Sequence, residues 1–164
     1  MSQVIKMMRI LSKYDCYEEY DESDFDRLHE ICTNVISEYG AVAKYGFFGR
    51  WTGPDYGGSI ITDPDTLYGH ITQDFSILMS FEFGVIEDEE EMLSEIQRYC
   101  EFPVPPLIVH PNSLYLKQWH HDGCNLYMIR PLKKEASVDG PSNGESFFEW
   151  CDENTMDVEL CKVI

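Results

Sequence analysis

The chain has 164 residues, with 30 acidic against 12 basic side chains for a net charge of −18, and it is 43% hydrophobic and 13% aromatic. That length and apolar content suffice to bury a core, which excludes a disordered acidic tail and sets the expectation of a single domain over residues 1–164. The charge repels nucleic acid and anionic membranes, so neither is expected as a direct ligand, and a basic protein is.

Val4 to Leu11 is rich in strand formers and reads as a first strand. Acids then crowd the approach to a helix: Asp15, Glu18, Glu19, Asp21, Glu22, Asp24, Asp26 and Glu30, opposed by Arg27 alone. Ser23 with Asp26 three positions on resembles a capping box. Phe25, Leu28, Cys32, Val35, Ile36 and Tyr39 recur at helical spacing, and Gly40 supplies a stop. Asp26, Glu30 and Glu38 fall on the other side of that helix, away from the apolar stripe. Acids at a helix start also gain from the dipole, so part of the block has a structural cause.

Ala41 to Phe48 and Ser59 to Thr62 read as strands. The Gly-rich link between them lacks the spacing of a phosphate loop, so a wide hairpin connection explains its glycines. Its aromatics Trp51 and Tyr56, near Arg50, are candidates for protein contact, because aromatic residues and arginine are enriched at binding hot spots. A short helix fits within Asp63 to Asp74. Ile77, Met79, Phe81 and Phe83 alternate as a strand with one buried face does.

A second acidic block follows. Asp88 reads as an N-cap, Glu89, Glu90 and Glu91 occupy the first turn, and Glu87 and Glu95 flank it. Leu93, Ile96 and Tyr99 or Cys100 form the apolar stripe, and Pro103, Pro105 and Pro106 end the helix. Strands are read at Leu107 to Val109, Ser113 to Trp119 and Cys124 to Arg130.

Asp122-Gly123 is a hairpin signal, expected to form the two central residues of a type I′ turn. That register sets His121 opposite Cys124 and His120 opposite Asn125, so the two histidines face opposite ways. His121 and Cys124 are candidates for zinc or for a nucleophile pair on residue type alone. A closed zinc site needs two further ligands, such as His110 or Cys100, and no spacing supplies them. No metal, cofactor or catalytic residue is therefore assigned, and the protein is not expected to be an enzyme.

Residues 133–146 have the composition of an exposed, mobile loop, and residues 147–164 are apolar enough to dock. Met156, Val158 and Leu160 alternate there as a last strand would. The fold expected is α+β: a mainly antiparallel sheet with the two principal helices packed on one face, of ferredoxin-like flavour. Six cysteines without CxxC spacing, no basic leader before an apolar run and no stretch of about 18 apolar residues point to a cytoplasmic protein, in the host cytoplasm if its source is viral.

The functional expectation is an acidic protein-binding inhibitor or regulator. It would imitate nucleic acid and block a basic nucleic-acid-binding protein, as viral counter-defence inhibitors do. An immunity protein neutralising a basic toxin is the alternative, and a small enzyme or zinc protein built on His121 and Cys124 is the third.

Overall fold

The structure is a computed structural model and describes residues 8–11, 22–47, 58–72, 80–86, 88–97, 110, 113–120, 123–142 and 144–158. For 8–11, 22, 24, 47, 72, 80–85, 92, 95, 96, 116–120 and 123–125 only the backbone is described. The strands are β1 (Met8–Leu11), β2 (Val42–Phe47), β3 (Gly58–Ile61), β4 (Ser80–Val85), β5 (Leu114–His120) and β6 (Gly123–Pro131). The helices are α1 (Glu22–Tyr39), α2 (Pro64–Thr72), α3 (Glu89–Gln97) and α4 (Phe147–Asn154). The class is α+β, as the alternation of the two periodicities implied.

All six strands join one sheet in the order β1-β4-β5-β6-β2-β3, every neighbouring pair antiparallel. Val42 lies opposite Ile61 on one side and Pro131 on the other, and Leu114 lies opposite Ile129. Cross-strand partners share a face, so Val42, Ile61, Leu114 and Ile129 line one side of the sheet. On that side they meet Leu28, Ile31, Cys32, Val35 and Ile36 of α1 and Leu67 and Ile71 of α2.

The opposite side carries Ala43, Tyr45, Tyr115, Leu126 and Met128, covered by Trp150 and Cys151 of α4 and flanked by Phe147 and Phe148. Leu93 of α3 packs against this second cluster. The expected placement of both principal helices on one face is not confirmed: α1 belongs to one cluster, while the described apolar contact of α3 is with the other. The sheet is buried on both sides at its centre, with helical residues in each layer.

Local chemistry sets the ends of these elements. Gly40 closes α1 with φ +82, its amide donating to the Ile36 carbonyl at 2.8 Å, a left-handed C-terminal position that glycine adopts without steric cost. Asp63 caps α2, accepting from the Thr66 amide at 2.8 Å, with Pro64 in the first helical position where a missing N–H costs nothing. Asp88 caps α3 by accepting from the Glu91 amide at 2.9 Å, and Ser146 caps α4 by accepting from the Glu149 amide at 3.4 Å.

The chain over residues 133–142 and 144–146 is built of turns. Ala136, Gly140 and Glu145 donate to the carbonyls of Lys133, Ser137 and Ser142 at 3.0, 3.2 and 3.2 Å. The apolar run after it is helical, forming α4, and Thr155 then makes an isolated bridge to Leu132. The last strand read at Met156, Val158 and Leu160 is not formed at Met156 and Val158, and Leu160 lies outside the described residues.

Candidate functional site

The described part of the first acidic block lies on α1, where Asp26 and Glu30 are exposed. Four residues apart on a helix, they are surface neighbours about 5–6 Å apart. Arg27 pairs with Glu30 at 3.3 Å. One turn of α1 meets the start of α2: His29 Nε2 lies 2.8 Å from Asp65 Oδ1, and its ring packs edge-on against Tyr68 with centroids 5.2 Å apart.

Burial pushes the Tyr68 phenol up, and the negative charge of Asp26 adds to the shift. Asp63 and Asp65 are both exposed, Asp65 almost fully at 90%. The hydrogen bonds from the Thr66 hydroxyl and amide hold the Asp63 carboxyl below its ordinary value, keeping it charged. Asp26 and Glu30 on α1 and Asp63 and Asp65 at the start of α2 are thus four exposed carboxylates on two helices joined by the His29–Asp65 contact.

Asp63 and Asp65 were not singled out by charge pattern, because they lie outside the dense blocks. The signal that finds them is the Asp-Pro-Asp-Thr run, an N-cap followed by proline and a first-turn acid. Of the other expected contact residues, Glu22 and Asp24 lie in α1 and Glu95 in α3, with the backbone alone described. Asp88, Glu89, Glu90 and Glu91 are exposed at the start of α3. Asp15, Glu18, Glu19, Asp21, Glu87, Trp51 and Tyr56 lie outside the described residues.

The hairpin register differs from the expected one. Cys124 lies opposite Trp119, and His120 opposite Gly123, which leaves His121 and Asp122 between the paired ends. His121 is therefore not the cross-strand partner of Cys124, and His121 itself lies outside the described residues. The slip is by two residues: Ile129 faces Leu114 where Leu116 was expected. A two-residue slip keeps every side chain on its own face, so hydrophobic alternation cannot distinguish the two registers.

Among the described residues no group of three or more His, Cys, Asp or Glu side chains is placed to hold a metal. Cys32 and Cys151 are buried free thiols, and burial pushes each up to about 12. A thiol so far from ionising is a small core hydrophobe and no nucleophile.

A buried polar cluster lies on the α4 side of the sheet. Arg130, 3% exposed, donates from Nε to Thr155 Oγ1 at 3.0 Å and from Nη1 to Ser113 Oγ at 2.9 Å. Tyr45 Oη reaches Thr155 Oγ1 at 3.5 Å, and burial pushes its phenol up to about 12. Beside them His110 Nε2 meets Asp152 Oδ1 at 2.8 Å. The bonds here tie α4 and the residue after it to β6 and to the start of β5. Every polar side chain in it is engaged with another, an arrangement suited to fastening a helix.

No helix among the described residues is long and apolar enough to cross a membrane. Comparison with protein-family models, with curated proteins and with solved structures found no match for this chain.

Proposed function

We propose that the protein is an acidic inhibitor or regulator that binds a basic protein through the α1–α2 surface, occupying the site where that partner holds nucleic acid. The observation that supports this is the presence of four exposed carboxylates, Asp26, Glu30, Asp63 and Asp65, on two helices joined by the His29–Asp65 contact, in a chain of net charge −18. One strand of DNA carries a charge per roughly 3.4 Å of axis, whereas carboxylates four apart on a helix recur about every 6 Å. A single helix is too sparse to imitate that array. Adding the two α2 acids to the two on α1 doubles the carboxylates on the surface and brings it closer. The exposed start of α3 offers a further acidic site, and the buried free thiols Cys32 and Cys151 support a reducing, cytoplasmic setting.

The test compares immobilised wild-type protein with the variant Asp26→Lys, Glu30→Lys, Asp65→Lys, each exposed to nuclease-treated lysate at low salt. The captured basic protein is then titrated with labelled duplex DNA or RNA. Expected are loss of capture in the variant, and displacement of the nucleic acid by the wild-type protein. Capture that survives the charge reversal overturns the surface. A captured partner that keeps its nucleic acid while bound overturns the mimicry, and a secreted toxin as that partner favours the immunity reading.

A further inference from the structure

Lys44 alternates along β2 with Ala43 and Tyr45, so its side chain enters the α1–α2 side of the sheet, where it is 4% exposed. Its Nζ lies 3.4 Å from His70 Nδ1 on α2 and 4.3 Å from the centroid of the Tyr127 ring on β6. An ammonium has only protons to offer, so Lys44 donates and Nδ1 accepts. A histidine that accepts at Nδ1 is neutral and carries its proton on Nε2.

Protonation at Nδ1 replaces that acceptor by a second donor. It sets two cations at hydrogen-bond distance in a part-buried site, where Coulomb repulsion is screened less than at the open surface. We propose that the Lys44–His70 contact makes α2 an acid-released element, seated on the sheet while His70 is neutral and loosened when His70 takes up a proton.

The groups around His70 support this assignment. From β2 comes the Lys44 ammonium, opposite Ser59 of β3, and from β6 the Tyr127 ring. From α1, His29 bonds Asp65, and the Asp26 carboxylate acts on Tyr68. Burial first, and the Lys44 charge second, push His70 below its ordinary value of 6.5.

A folded value below the unfolded one means that the unfolded chain binds more protons. The contribution of His70 to holding α2 is therefore complete above pH 6.5 and is lost as pH falls from there through the folded value. Uptake of one proton limits the change in the opening equilibrium to about tenfold per pH unit.

The inference concerns the free protein and stands whether or not the acidic surface has a partner. Backbone amide protection is measured between pH 7.5 and 5 for wild type, His70→Gln and Lys44→Met, and compared between α2 residues such as Leu67 and Ile71 and the α1 core. In wild type, α2 is expected to lose protection relative to α1 on acidification, and in His70→Gln that differential loss disappears. NMR titration of the imidazole gives a second readout, with His70 titrating below an ordinary histidine and moving up in Lys44→Met. Parallel loss in α1 and α2, an undiminished loss in His70→Gln, or an ordinary titration of His70 each overturns the proposal.

Discussion

Asp63 turns one carboxylate to two tasks, capping α2 and adding charge to its exposed start. Its folded value lies below the ordinary 3.8 because Thr66 donates to it from both hydroxyl and amide. A depressed carboxylate stabilises the fold above its unfolded value and ceases to do so as pH falls through its folded one. Asp63→Ala is therefore expected to lower the melting temperature at pH 7, with the gap to wild type closing below pH 3.8. A gap independent of pH would show that the cap acts through shape alone. Residues of this kind were legible in part. Ser23 and Asp26 put a helix start near the observed one, but α1 begins at Glu22, so Ser23 lies within the helix and is not its cap. Gly40 marked its end, while the contacts that join helices, such as His29 to Asp65, depend on a packing angle that no local spacing encodes.

At the scale of elements, α1 and α3 could be read from periodicity and caps, because an apolar stripe and an N-cap are local properties, while the short α2 was read only as a helix that fits between two strands. The hairpin could be placed but not registered. Asp122-Gly123 marks where the chain reverses, yet the pairing of β5 and β6 is set along their whole length by neighbours on either side, β4 and β2. Phe147, Phe148 and Trp150 were legible as a docking segment but not as a helix, since eight residues show too few turns for a stripe to stand out.

Thr155, at the C-terminal cap of α4, shows what holds that helix. Its hydroxyl accepts from Arg130, and its amide donates to the Cys151 carbonyl at 2.9 Å. Thr155→Val keeps the shape and removes the acceptor, leaving a buried guanidinium N–H without its partner. A loss of about 1–3 kcal/mol in unfolding free energy is expected, the usual cost of stranding a buried polar group. Denaturant titration measures it, and a loss below about 0.5 kcal/mol would mean that the guanidinium finds another acceptor.

For the whole molecule, the excess of acids was evident from composition, while its distribution over two helical layers was not. A net charge of −18 repels itself in the compact state. Raising ionic strength from about 10 mM to 150 mM shortens the screening length from roughly 30 Å to 8 Å, so the melting temperature should rise with salt. The gain should be smaller in the Asp26→Lys, Glu30→Lys, Asp65→Lys variant, where part of the repulsion is already gone. Equal salt responses would place the destabilising charge elsewhere.

The charged side chains buried among the described residues are both cations, Lys44 and Arg130, set on adjacent strands and sent to opposite sides of the sheet. Among the described residues the buried charge is thus positive, and the surface carboxylates attract it while repelling one another. Stripping negative charge from the surface relieves the second effect and weakens the first. An optimum surface charge is therefore expected short of neutrality, since the same acidity that repels itself also helps to retain two buried cations.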